Sequence, residues 1–182
     1  MDFSATILPG ILIFQPEKHD DARGFLFESF NRRDFEKATG KAVEFVQDNH
    51  TLSRKGVLRG LHYQLPPYAQ GKLVRVTSGA IFDIAVDLRR QSLSFGKWTG
   101  EILTAENRRQ MWIPEGFAHG YITLADNTEC HYKVTAFYTP QAERTLAWND
   151  PAIGITWPEG ITPILSEKDR HGRTLGEVDT FG

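Results

Sequence analysis

His62, Tyr132, Lys72 and His119, with the carboxylates Asp83 and Asp169, are the side chains of this sequence best suited to moving a proton. A histidine titrates near neutrality and can take a proton from a carbon made acidic by a neighbouring carbonyl. A tyrosine on the opposite side can return one, and Lys72 or His119 near the carbonyl oxygen would stabilise the enolate between the two steps. Either aspartate could hold the second nitrogen of an imidazole base. Arg59 adds a fixed positive charge. Arg23, in DDARGFLFES, either turns the chain ahead of a strand or binds a phosphate through its fork of donors. Taken singly, each residue also has a plain structural reading: His62 within a strand, Lys72 at a solvated strand end, Tyr132 in the core, Asp83 facing outward. Convergence on one cavity is what would turn them into a catalyst. No GxGxxG and no GxxxxGK[ST] occurs, so neither a Rossmann nor a P-loop nucleotide site is expected.

A metal is the other use for such histidines. Pro114-Glu115-Gly116-Phe117-Ala118-His119 resembles the second motif of the metal-binding cupin barrels, but their first motif needs His-x-His followed shortly by Glu. Here the corresponding run is His62-x-Gln64, and Lys72 stands where an anionic ligand would be wanted. The expectation is a cupin-like scaffold with no metal and no cofactor.

These side chains need strands to carry them. Period-two and aromatic-rich runs predict strands at 25–30, 43–52, 57–64, 72–77, 80–88, 98–104, 109–113, 117–124, 128–138 and 144–148. Ser78-Gly79 reads as a short hairpin joining 72–77 to 80–88. One helix is expected at 34–39, begun by Asn31 or Asp34 and ended by Gly40. The stretch from Asn149 onward, richer in Pro, Gly and charge, is expected to wrap the barrel. The pattern predicts an all-β protein, a sandwich, jelly roll or closed barrel with few short helices, in one domain over residues 1–182. Alternation puts Cys130, Tyr132 and Val134 on one face, with Ala136 and Tyr138 continuing it. Phe117, His119 and Tyr121 share another face, and Gln47, Asn49 and Thr51 a third. Polar groups in such inward rows suggest a lined cavity. Strict alternation sets Arg59 and His62 on opposite faces; a bulge at Gly60 would bring both inward.

The 182 residues are 40% hydrophobic and 24% charged, with a net charge of −2, so nothing favours nucleic acid as a partner. The single cysteine, Cys130, excludes an internal disulfide and fits a reducing compartment. The N-terminal run lacks a basic start and is broken by Pro9 and Gly10, and no segment is long enough to cross a membrane. A cytoplasmic protein is expected.

Several long motifs, in order, resemble the dTDP-4-dehydrorhamnose 3,5-epimerase family: ARGFLFES, FVQDNHTLSRKGVLRGLHYQ, QGKLVRVTSGAIFDIAVDLR, WIPEGFAHGY, CHYKVTAFY and LSEKDR. The resemblance runs from about Leu8 to Gly176. It implies a cupin-like jelly-roll barrel, a homodimer with exchanged N-terminal strands and a cofactor-free reaction. It makes His62 the base, Asp169 its partner, Tyr132 the acid and Lys72 the support of the enolate, with His119 and Asp83 lining the sugar site. Arg23, Phe25 and Glu28 match positions that bind the nucleotide from the neighbouring subunit. Gln47, Asp48, Asn49, Arg59, Tyr138, Glu143 and Lys168 match further ligand contacts. The implied substrate is dTDP-4-dehydro-6-deoxy-D-glucose, inverted at C3 and C5. Family members often carry an aromatic residue where this chain has His19. An epimerase acting at one carbon, and a noncatalytic sugar-nucleotide-binding cupin, are the alternatives.

Overall fold

A computed structural model describes residues 2–182. The chain begins with β1 (Asp2–Ala5) and β2 (Leu12–Gln15), then β3 (Lys18–Asp21), β4 (Gly24–Phe27) and helix α1 (Arg32–Thr39). Next come β5 (Gln47–Ser53), β6 (Leu58–Gln64), β7 (Lys72–Ser78) and β8 (Ala80–Asp87). They are followed by β9 (Trp98–Thr104), β10 (Gln110–Ile113), β11 (Phe117–Thr123), β12 (Thr128–Val134), β13 (Glu143–Thr145) and a short helix α2 (Glu167–Arg170). A six-stranded sheet runs β1-β2-β10-β7-β12-β5 and a five-stranded sheet β13-β6-β11-β8-β9; β3 and β4 pair separately. The result is a jelly roll.

Val74, Val76, Met111 and Ile113 of the first sheet meet Ile81, Ala85, Phe117 and Tyr121 of the second in one buried cluster. A second cluster, with Leu61, Ile84, Val86, Leu146, Ile153 and Val178, lies where the C-terminal segment covers the other face of the five-stranded sheet. That explains why β8 is apolar almost throughout: both of its faces are covered.

Four local expectations need correction. Ser78-Gly79 does not close a hairpin, because β7 and β8 belong to different sheets. Gly79, at φ 73°, passes the chain around a corner packed against Thr128. A two-residue turn signal reports a sharp reversal and says nothing of which strand becomes the partner. The strand expected over 128–138 ends at Val134, so Ala136 and Tyr138 do not continue its face. Residues 43–46 and 28–30 lie outside the strands: Phe30, Val43 and Phe45 pack instead around Phe35 of α1 and Trp112. Helix α1 starts two residues before the expected 34, because the Asn31 side chain accepts hydrogen bonds from the backbone N–H groups of Arg33 and Asp34.

Candidate active site

A cavity of about 680 Å³ opens between the two sheets, at the end bounded by β5, β6, β12 and the segment before α2. Its walls follow from strand alternation. On β5, Gln47, Asn49 and Thr51 face the cavity while Asp48 and His50 face outward. On β12, Tyr132 faces in between the outward His131 and Lys133.

On β6 the alternation is broken. His62 pairs with His119 and Arg59 with Tyr121, so three steps on β6 match two on β11. The extra residue falls at the Gly60 bulge, and Arg59 and His62 both line the cavity. Gly60 sits at φ 127°, and a Cβ there would lie 2.6 Å from Gly120 Cα and 2.8 Å from the His119 carbonyl oxygen. Only glycine fits that close approach.

His62 Nε2 lies 2.6 Å from Asp169 Oδ1. An ionised carboxylate only accepts, so Nε2 carries the proton and the lone pair is on Nδ1. Asp169 is 3% exposed and is delivered by α2, whose N-cap Ser166 accepts from the Asp169 N–H and donates to Asp169 Oδ2 at 2.7 Å. Burial lowers the His62 pKa below the ordinary histidine value, against the opposing pull of Asp169, so the ring is neutral at neutral pH. Burial works against ionisation of Asp169, but hydrogen bonds from His62 and Ser166 outweigh it and hold its carboxyl below the usual range.

Across the cavity, Tyr132 is raised above the usual phenol value, first by burial and then by Cys130 beside it, so it keeps its proton. Its hydroxyl has no hydrogen-bond partner among the described residues. Lys72 is buried and donates to the His62 carbonyl at 3.1 Å. Burial brings its pKa down to about 8, while Asp83 and Glu143 act to keep it charged. His119 Nε2 lies 2.7 Å from Asp83 Oδ1, and Asp83 is completely buried behind it, outside the cavity lining. The alternative of an outward Asp83 is thereby removed. At the rim, Tyr138 donates to Glu143 Oε2 at 3.0 Å, and Lys168 donates to Glu143 Oε1 at 2.7 Å.

The cavity thus gathers His62, Tyr132, Asp169, Lys72, Gln47, Asn49, Arg59, His119, Tyr138, Glu143 and Lys168. Five expected contacts lie elsewhere, the first being Asp83, which sits behind His119. Asp48 turns to the opposite face of β5 and pairs with Lys133 at 3.0 Å, as its place between Gln47 and Asn49 in the alternation requires. Arg23, Phe25 and Glu28 sit on or just after the β3–β4 hairpin, away from this chain's own cavity. The Arg23 side chain is 89% exposed and pairs only with Asp21, and Phe25 is 58% exposed. The histidine at 19 is on the same hairpin, paired with Leu26.

Sequence reading missed other lining residues. Tyr121 bonds Thr51 through its hydroxyl at 2.8 Å, bridging the two sheets. Gln64 and Gln70 close one wall by donating to the carbonyls of Tyr68 and Ala136, each at 2.7 Å. The shared face of His119 and Tyr121 was a usable signal for the first. Ser166, three residues before Asp169, was recognisable as a helix cap.

Comparison with known proteins identifies the chain's relatives. The family model described as dTDP-4-dehydrorhamnose 3,5-epimerase matches residues 5–177. A protein of that name from Pseudomonas aeruginosa is 56% identical over 174 residues, 96% of each chain. The crystal structure of a dTDP-6-deoxy-D-glucose-3,5-epimerase from Legionella pneumophila, in complex with dTDP-4-keto-L-rhamnose, superposes with a TM-score of 0.94. It is 44% identical and covers 98% of this chain and 94% of that one. A 3′-monoepimerase from Streptomyces bikiniensis, in complex with dTDP-quinovose, gives a TM-score of 0.90 at 32% identity, covering 94% and 86%. With the model spanning nearly the whole chain and relatives above half identity, this protein belongs to the dTDP-4-dehydrorhamnose 3,5-epimerase family.

Proposed function

We propose that this chain converts dTDP-4-dehydro-6-deoxy-D-glucose to dTDP-4-dehydro-L-rhamnose by inverting C3 and C5, as a step of dTDP-L-rhamnose biosynthesis. The observation that carries the reading is the position of base and acid on opposite walls: the His62–Asp169 pair on β6 and α2, Tyr132 on β12 of the facing sheet. His62 Nδ1 takes the proton from the carbon, and the C–H electron pair moves into the enolate whose charge rests on the 4-keto oxygen. Lys72 or the His119 side chain stabilises that oxygen. As the enolate collapses, the Tyr132 hydroxyl gives its proton to the opposite face of the carbon. Exchange with solvent then restores both groups. The ketone lies between C3 and C5, so the same set serves both carbons, and no cofactor takes part.

The working unit is a cytoplasmic homodimer with exchanged N-terminal strands, in which Arg23, Phe25 and Glu28 of one subunit bind the nucleotide held by the other. The hairpin's exposed Phe25 and Leu26 support this, since such apolar groups call for cover. A single-position epimerase is the second reading, favoured by the similarity to the 3′-monoepimerase. Incubation with dTDP-4-dehydro-6-deoxy-D-glucose in D₂O separates the two, read by NMR. Deuterium at both C3 and C5 is expected; uptake at one carbon only selects the second reading, and none at either rules out both.

A further inference from the structure

The outer face of the six-stranded sheet, on the reverse of the Tyr132 wall, carries a cluster that the epimerase chemistry does not use. His50 on β5 and His131 on β12 are direct cross-strand partners, and their rings stack with centroids 3.8 Å apart. Glu129, two residues before His131 and so on the same face, places Oε2 2.9 Å from His50 Nε2. One ligand atom from each of the three lies within 4.8 Å of the others. We propose that His50, His131 and Glu129 form a binding site for a divalent transition ion of the Zn²⁺ class.

The chemistry fits. Two imidazoles and a carboxylate make a borderline-soft set with one negative charge, which suits Zn²⁺ better than Mg²⁺ or Ca²⁺. Donors around a tetrahedral ion stand roughly 3.4 Å apart, so small side-chain rotations close the cluster on a metal at about 2.1 Å. Three protein ligands leave a fourth position for water. Stacked imidazoles cannot both carry charge cheaply. Arg75 on β7, paired with His131, and Lys133, two residues further along β12, are the cations an ion must tolerate; Asp48 holds Lys133. Among the described residues β5 is an edge strand of its sheet and bears the Gln47, Asn49 and Thr51 wall of the cavity. An ion bridging β5 and β12 therefore staples an edge strand of the sheet.

The test is a Zn²⁺ titration of the metal-stripped full chain by calorimetry, with Co²⁺ absorption as a second readout and melting with and without zinc. One ion per chain and a zinc-dependent rise in Tm are expected. His50→Ala and His131→Ala should each weaken binding by about tenfold or more and remove the Tm rise, whereas His171→Ala should leave both intact. Metal-free Tm checks that the variants fold, and Glu129→Gln provides a smaller perturbation of the same site. Absence of saturable binding, binding that survives both histidine substitutions, or binding lost instead in His62→Asn would overturn the proposal.

Discussion

Burial does opposite things to the groups at the base of the cavity, and the differences divide the labour. It lowers His62 and so keeps an acceptor at neutral pH, raises Tyr132 and so keeps a donor, and brings Lys72 to about 8. The sign of each limb of the pH profile follows. His62 acts when deprotonated, so kcat/KM should rise with pH through an apparent pKa below the ordinary 6.5. Lys72 acts when charged, so the rate should fall as pH passes about 8. Lys72→Met should lower the rate at every pH and remove the alkaline limb. An acid limb above 6.5 would show that His62 is not the base.

At the scale of elements, the cavity depends on one irregularity in β6. Without the bulge at Gly60, Arg59 or His62 would turn to the far side of the sheet. Gly60→Ala puts a Cβ against Gly120 and His119 and forces a left-handed φ on alanine. A loss of about 2–5 kcal/mol is expected in urea unfolding, with a fall in kcat as His62 shifts. Unchanged stability would mean that the bulge relaxes freely. Helix α2 makes the same point from the other side of the dyad: four residues suffice to aim Asp169 at His62, because Ser166 fixes their start.

For the molecule as a whole, the proposal to test is that a partner subunit completes the nucleotide end of the cavity. Arg23 lies on the separate β3–β4 hairpin, its side chain almost fully exposed and paired with Asp21. Co-expression of His62→Asn and Arg23→Ala chains, each inactive alone, tests it. In a mixed dimer with shared sites, one cavity keeps both an intact His62 and the partner's intact arginine. Random pairing then restores about one quarter of wild-type activity. No recovery would place Arg23 in its own chain's site or outside catalysis.

Much of this was legible in the sequence, for a physical reason. Side-chain alternation is local, so the inward rows of β5 and β12, and the need for a bulge between Arg59 and His62, could be read from spacing. Asn31 and Gly40 bracketed the helix by the same local logic. Motif resemblance supplied the partnership of His62 with Asp169, which are 107 residues apart. Composition could not, because nothing local links α2 to β6. What only the tertiary structure decided was non-local. The Ser78-Gly79 turn leads into the facing sheet because pairing is chosen by which strands meet across the whole barrel. Asp83 is buried because its side of β8, shared with Ile81 and Ala85, faces the core between the two sheets, where His119 bonds its carboxylate. The strand expected to reach Tyr138 stops at Val134, and Tyr138 finds Glu143 and Lys168 at the rim instead. Periodicity fixes which way a side chain points; only the assembled sheets decide what it meets there.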